Sequence, residues 1–365
     1  MLSIKKSDTG YLARALRIAG QGIYTTHPNP RVGCVLVKEG KIISEGYHLR
    51  AGEEHAEAIA LRIAGSQARG STAYVTLEPC SFEGRTRSCA SALIEAGIVR
   101  VVGAMADPDP RNAGAGFQIL RDAGVQVTTP LLEKSARALN PGHVKRHETG
   151  MPYVRLKLAM SLDGKTALAN GQSRWITGKF ARYDVQRLRA RSSAIVTGVQ
   201  TVIDDDPSLQ VRFGELDHMH AKLASVLEKP IYILDSNGRI PKDAKLSSDS
   251  NAVLVSCSSI RTPMQTLQIE RDVDGRVKLS DFLALLGQLE CNEVLFECGA
   301  TLAGSLVQQK LFDELIFYIA PKLMGNGAQS LLKLLEIDNM DDISKLRITD
   351  VNMVGDDLRV LAVKD

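Results

Sequence analysis

Apolar positions change their spacing repeatedly along the chain, and each change marks an element. Tyr11, Leu12, Ala15, Leu16 and Ala19 recur at helical spacing behind a cap at Asp8 or Thr9, which predicts a helix over residues 8–22. The two prolines of Thr25-Thr26-His27-Pro28-Asn29-Pro30 forbid helix and set an extended loop. β-Branched runs at 31–37 and 42–47 flank Glu39-Gly40 and predict a hairpin. Helical spacing returns at 55–63, and a buried strand follows at 73–77. The pattern then reads helix 89–96, strand 99–104, helix 116–123, strand 125–128 and a last helix over 131–146. Helices alternating with strands in this way predict a three-layer α/β domain.

Glu148-Thr149-Gly150-Met151-Pro152 breaks the pattern and sets the boundary between two domains, 1–147 and 148–365. Beyond it the alternation starts again. Strands are predicted at 153–160, 194–198, 231–234, 252–255, 293–297 and 314–320, with helices at 179–191, 281–289 and 302–310. The stretches 214–228 and 257–276 read as loops or peripheral elements. A chain of 365 residues is long enough for two domains, each with its own core.

Composition narrows the class. Hydrophobic content of 44% and charged content of 24% are those of a soluble globular protein. The 45 basic and 42 acidic residues leave a net charge of +3, so no electrostatic footprint for nucleic acid exists. A small phosphorylated substrate, which needs only one or two local cations, remains open. The first residues hold no long apolar core, so no signal peptide is expected, and no run approaches the roughly 20 apolar residues of a membrane span. Six cysteines at scattered spacings do not form a disulfide framework. The expectation is a cytoplasmic protein without a membrane partner.

The candidate chemistry lies between the hairpin and the fourth predicted strand. His55-Ala56-Glu57 opens a helix, Pro79-Cys80 follows the buried strand, and Cys89 opens the next helix. An isolated His-x-Glu carries little information, and an isolated cysteine pair is more often buried than ligating. Together and in this order they form the zinc-deaminase signature. Thiolates and an imidazole suit Zn²⁺, and three protein ligands leave a fourth position for a water whose pKa falls toward roughly 7. Glu57, two residues from His55, is placed for general acid/base work. Cys80 and Cys89 lie after a strand and at a helix start, where helix amides favour thiolates. Cys34, Cys257, Cys291 and Cys298 have no metal spacing. In the second half, residues 296–305 run from a strand through small residues into a helix. Such a turn suits either a phosphate at the helix N-terminus or close strand-to-helix packing.

Most deaminases of this class have Pro-Cys-x-x-Cys, whereas here residues 81–88 separate the thiols. Pro28-Asn29-Pro30-Arg31-Val32-Gly33, Gly46-Tyr47-His48, residues 51–57, Glu78-Pro79-Cys80 and the longer loop with Gly84-Arg85-Thr86 resemble one particular family. It is the bifunctional deaminase/reductase family of riboflavin biosynthesis. Residues 156–165, 171–177, 184–189, 197–201 and 204–207, with Leu209, Arg212 and Glu297-Cys298-Gly299, resemble its reductase half. The resemblance implies a cytidine-deaminase-like α/β/α domain followed by a dihydrofolate-reductase-like α/β domain. It implies one Zn²⁺ per deaminase domain, held by His55, Cys80 and Cys89, with Glu57 as the catalytic proton shuttle. Asn29 and His48 would touch the pyrimidine and Arg85 the ribosyl phosphate.

In the second domain the resemblance places Ser173, Arg189, Leu209, Arg212 and Glu297 against the substrate. It places NADPH against Ala159, Trp175, Thr201, Asp205, Gly299, Ala300, Thr301, Leu302, Ala303, Gly304 and Ser305, with Ser236 toward its adenosine end. Trp175 fits a core position as well, and the role of Lys157 stays open. The implied reactions are hydrolytic deamination of 2,5-diamino-6-(5-phosphoribosylamino)pyrimidin-4-one and NADPH-dependent reduction of the ribosyl group to ribityl. A homo-oligomer is implied too. Two departures bear on how the loop grips substrate: Phe82 replaces the family's usual His, and Arg87-Ser88 its usual Pro-Pro. Two rival readings remain. A nucleoside or tRNA deaminase is opposed by the balanced charge and the long intercysteine loop. A non-catalytic zinc-stabilised nucleotide-binding protein is opposed by Glu57, since structural zinc sites normally have four protein ligands.

Overall fold

A computed structural model describes residues 6–82, 88–216, 218–336 and 338–364. Arg85 and Arg87 lie outside them. The chain divides into two compact units, 1–150 and 151–365.

In the first unit, α1 (Lys6–Ala19) leads to β1 (Gly33–Lys38) and β2 (Lys41–Tyr47). Glu39 and Gly40, at φ 52° and 78°, make the two-residue turn between these strands. Next come α2 (Ala56–Ala64), β3 (Thr72–Val75), α3 (Cys89–Glu95), β4 (Arg100–Gly103), α4 (Ala115–Asp122) and β5 (Gln126–Thr128). The five strands lie in the order β2-β1-β3-β4-β5. β1 runs antiparallel to β2 and β3, while β3, β4 and β5 are parallel. Ala56, Ala60, Leu93, Phe117 and Leu120 fill one face of the sheet. Leu12, Ala15, Ile18, Ala136 and Val144 fill the other, the last two from α5 (Glu133–Leu139) and α6 (Pro141–Thr149). This is the expected three-layer arrangement.

The single helix expected over 131–146 is two. Pro141 has no N–H to continue α5, and Asn140 before it leaves the helical region at φ −123°, ψ 49°. The freed Asn140 side chain accepts from Arg31 N at 2.8 Å and donates to Arg31 O at 2.9 Å, fixing the entry to β1. A second close approach positions the candidate chemistry. A Cβ on Gly46 would stand 2.3 Å from Ala56 O and 2.7 Å from Ala60 N, so only glycine lets α2 lie this close on β2.

In the second unit the strands are β6 (Tyr153–Ser161), β7 (Lys165–Ala167), β8 (Ala194–Gly198), β9 (Ile231–Leu234), β10 (Ala252–Ser256) and β11 (Gln265–Gln268). They continue as β12 (Glu293–Glu297), β13 (Glu314–Ala320), β14 (Gln329–Ser330), β15 (Leu346–Val354) and β16 (Asp357–Lys364). The helices are α7 (Lys179–Arg191), α8 (Val199–Asp205), α9 (Ala221–Val226), α10 (Leu279–Gln288) and α11 (Ala300–Gln308). Nine strands form one sheet, β11-β10-β9-β8-β12-β6-β13-β16-β15, and β7 pairs with β14. The run from β11 to β13 is parallel, and β16 and β15 close it antiparallel.

The regions read as loops or peripheral elements hold the short α9 and the edge strand β11, and the β15–β16 hairpin was not foreseen. β12 inserts between β8 and β6, so the chain reverses its direction of travel across the sheet there. Ligands of open α/β sheets bind outside the carboxyl ends of the strands at such a reversal. Among the described residues, no helix is long and apolar enough to cross a membrane.

Candidate active sites

The first site is built on two helix starts and one loop. His55 is the N-cap of α2, in extended conformation, and Glu57 lies in the first turn. Cys89 is the first residue of α3, whose N-cap Ser88 accepts a hydrogen bond from Ser91 N. Cys80 sits in irregular backbone after β3, with its Sγ accepting from Cys89 N at 3.1 Å. His55 Nδ1 is 3.3 Å from Cys89 Sγ and 3.8 Å from Cys80 Sγ. The three donor atoms all lie within 4.8 Å of one another. Tetrahedral zinc, with bonds of about 2.3 Å to sulfur and 2.0–2.1 Å to nitrogen, requires an N···S separation of about 3.6 Å. The donor set therefore fits zinc in both chemistry and spacing.

Electrostatics favour a thiolate here. The hydrogen bond from Cys89 outweighs burial and, with His55, pulls the Cys80 thiol below its ordinary range. Glu57 is 3% exposed, and burial pushes its carboxyl upward. Asn29 and His48 stand beside this group. His48 packs edge-on to His55 with ring centroids 5.3 Å apart. Its Nδ1 lies 3.0 Å from the Glu54 carbonyl oxygen, which can only accept, so Nδ1 carries the proton. Nε2 then accepts from the Asn29 amide at 3.0 Å. Burial also lowers the His48 pKa, which keeps the ring neutral. Because the Asn29 amide is used on His48, its oxygen is left as the acceptor for a ligand.

The second site is a cavity of about 660 Å³ lined by residues 157–159 of β6, by Glu297 at the carboxyl end of β12 with Cys298 and Gly299, and by Thr201 and Asp205 of α8, the helix that follows β8. Parallel register sets Lys157 of β6 beside Glu297 of β12. Arg189 of α7 donates to both oxygens of Glu297, at 2.6 and 3.1 Å, and Lys157 Nζ lies 3.5 Å away. Burial works against the Glu297 carboxylate, but Arg189 and Lys157 outweigh it and hold its pKa at about 2. On the far wall Ser173 Oγ donates to Asp205 Oδ1 at 3.0 Å. Trp175 is 63% exposed with the Arg182 guanidinium over its ring, which removes the core reading. Leu209 adopts φ 54° while only 3% exposed, so packing holds a backbone that leucine disfavours. Arg212 pairs with Glu215 at 2.7 Å and stays half exposed.

Ala159, Thr201 and Gly299 line the same cavity. Gly299 is the N-cap of α11 and no side chain caps that helix, so its first amides are free for a ligand. The chemistry of this donor set fits a dinucleotide phosphate. Of 299–305 only Gly299 lines the cavity; Ala300, Thr301 and Leu302 do not, and the Ser305 hydroxyl donates back to Thr301 O at 3.1 Å. Ala303 is fully buried in the core, and a Cβ on Gly304 would stand 2.0 Å from Lys333 O. Those two residues serve packing. Ser236 does not line the cavity, and its hydroxyl accepts from Val277 N at 3.0 Å. Sequence reasoning missed Gln186, a buried cavity residue whose side chain accepts from Arg212 N at 2.9 Å. Its only signal was its place inside the 184–189 run.

The two sites together define a bifunctional enzyme, a zinc-binding deaminase unit followed by a reductase unit. Residues 5–105 match the cytidine and deoxycytidylate deaminase zinc-binding region, and residues 152–360 match the RibD C-terminal domain. The riboflavin biosynthesis protein RibD of Haemophilus influenzae is 45% identical, over 99% of this chain and 98% of its own. That of Escherichia coli is 46% identical, over 96% and 98%. Among solved structures, Acinetobacter baumannii RibD superposes with a TM-score of 0.91 at 41% identity, covering 99% of both chains. A Thermotoga maritima diaminohydroxyphosphoribosylaminopyrimidine deaminase/5-amino-6-(5-phosphoribosylamino)uracil reductase gives 0.86 at 28% identity, covering 98% of this chain and 99% of its own. The chain belongs to the RibD family of bifunctional riboflavin-biosynthesis enzymes, with deaminase and then reductase activity.

Proposed function

We propose that the first unit deaminates 2,5-diamino-6-(5-phosphoribosylamino)pyrimidin-4-one and that the second reduces the product's ribosyl group to ribityl with NADPH. The observation that carries the first half is the His55–Cys80–Cys89 donor set at zinc spacing beside buried Glu57. Zinc held there supplies a water activated at neutral pH. Glu57 takes a proton at its carboxylate and returns it to the departing amine, so that ammonia leaves as a neutral molecule. The Asn29 oxygen accepts from a donor on the pyrimidine edge, and neutral His48 holds Asn29 in that orientation. Arg85, outside the described residues, is assigned to the ribosyl phosphate.

In the second unit NADPH supplies the reducing equivalents. The free amides at Ala300, Thr301 and Leu302 bind a cofactor phosphate, while Ala159, Trp175, Thr201 and Asp205 flank the rest of the cofactor. Ser173, Leu209 and Glu297 orient the substrate. Arg189 is engaged on both oxygens of Glu297, so its part is to fix that carboxylate. Arg212, half exposed on a single-turn pair with Glu215, is free to exchange onto a substrate phosphate.

Metal removal tests the reading. Protein stripped with a strong chelator is expected to lose ammonia release from the diaminopyrimidine phosphoriboside and to regain it with added zinc. Its NADPH oxidation with the aminouracil phosphoriboside should be unchanged. Undiminished ammonia release from metal-free protein would refute the zinc assignment.

A further inference from the structure

The three candidate zinc ligands are not equally well supported by their own backbone. His55 and Cys89 stand at helix starts, whereas Cys80 lies in backbone that belongs to no helix or strand. What holds Cys80 comes from elsewhere. Glu78, 3% exposed, accepts from four backbone amides: Asp107 and Gly114 at 2.9 Å on one oxygen, Gly116 at 2.9 Å and Phe117 at 3.2 Å on the other. The segment 107–117, a loop that runs into the first turn of α4, is thereby wound around a carboxylate two residues before Cys80. The fit leaves no slack, because a Cβ on Gly116 would stand 1.9 Å from Pro79 O.

Asn112 lies in that loop at 2% exposure, and its amide brackets Cys80. Its Oδ1 accepts from Ser81 N at 2.9 Å, and its Nδ2 reaches Pro79 O at 3.4 Å. The peptide units on both sides of Cys80 are thus tied to one side chain. Nδ2 also reaches Asp107 Oδ2 at 3.4 Å, and the other Asp107 oxygen is held by His143 Nε2 of α6 at 3.0 Å. Asn112 is itself oriented, through Asp107, by a helix on the opposite face of the sheet.

We propose that Asn112 is a positioning residue for the Cys80 thiolate, fixing the two peptide planes that aim its sulfur at the metal, with Glu78 anchoring the loop that carries Asn112. The inference rests on the zinc reading above. Outer groups that orient a metal ligand typically contribute 10–100-fold to affinity.

The test uses the full chain, with zinc affinity read by competition with a chromophoric chelator. Asn112→Val removes both contacts at similar volume and is expected to weaken zinc binding about 10–100-fold. In cobalt-substituted protein the same variant should alter the thiolate-to-cobalt absorption band. Asn112→Asp keeps the acceptor for Ser81 N–H but not the donor for Pro79 O, and should bind zinc with intermediate affinity. NADPH oxidation should be unaffected in both. Zinc binding by the Val variant as tight as in the unsubstituted chain would overturn the proposal. So would a loss that merely follows a lower melting temperature of the metal-free protein. If the Val variant does not fold, undiminished zinc affinity in the Asp variant overturns it. Failure of the unsubstituted chain to bind zinc would refute the zinc reading instead.

Discussion

Glu57→Gln is expected to lower the rate of ammonia release by about 10²–10⁴-fold, the range a positioned proton-transfer group supplies. The substitution keeps the shape of a side chain that is 3% exposed and removes its ability to accept and return a proton. None of the three metal-donor atoms belongs to Glu57, so zinc content, measured by atomic emission, should stay at the unsubstituted level. NADPH oxidation with the aminouracil phosphoriboside should also persist, because that reaction uses the other unit. The combination separates this account from a structural zinc site. There Glu57→Gln would leave function intact, and a fourth protein ligand would complete the metal sphere.

The second large effect is expected at Glu297. Its carboxylate neutralises Arg189, whose side chain is 11% exposed, and faces Lys157 at 3.5 Å. Glu297→Gln leaves two cations at the cavity floor without their counter-charge. Removing one partner of a buried pair typically costs about 3–5 kcal/mol. The second unit's denaturation midpoint should fall accordingly, with reductase activity lost while deamination continues. The pH dependence has a definite sign. Held at about 2 in the folded chain against an ordinary 4.5, Glu297 contributes stability that is fully present above about 4.5 and disappears as the pH falls through about 2. The stability gap between unsubstituted protein and variant should therefore be full at pH 7 and close over that acid range. A variant as stable as the unsubstituted chain at pH 7 would contradict the assigned role of the ion pair.

How much of this was legible in the sequence depended on whether a feature is local. The candidate metal donors were, because His55 and Cys89 open helices that announce themselves by apolar spacing and lie close to the turn they cap. The inner strands β8, β9 and β12 were also readable at the observed bounds, since both faces of a central parallel strand are covered and each carries at least three consecutive apolar residues. The β15–β16 hairpin was not. A bulge between Ile348 and Asp350 shifts the alternation of β15 by one residue, and every residue from Leu346 to Thr349 is exposed. The run 299–305 shows the same limit from the other side. A contiguous motif on a helix turns through both faces, so Gly299 meets the cavity while Ala303 meets the core. Asn112 could not be seen at all and Gln186 only as one position of the 184–189 run, because their significance lies in backbone groups that only the tertiary fold brings to them.

One assay reaches the central claim directly. Zinc-loaded protein is given the diaminopyrimidine phosphoriboside and NADPH, with ammonia release and NADPH oxidation followed separately. The account predicts that ammonia appears first and that NADPH oxidation follows after a lag, reaching the same final amount. Supplying the aminouracil phosphoriboside should abolish the lag and release no ammonia. NADPH oxidation without prior ammonia release, or neither signal from fully loaded protein, would contradict the assignment of these two reactions to this chain.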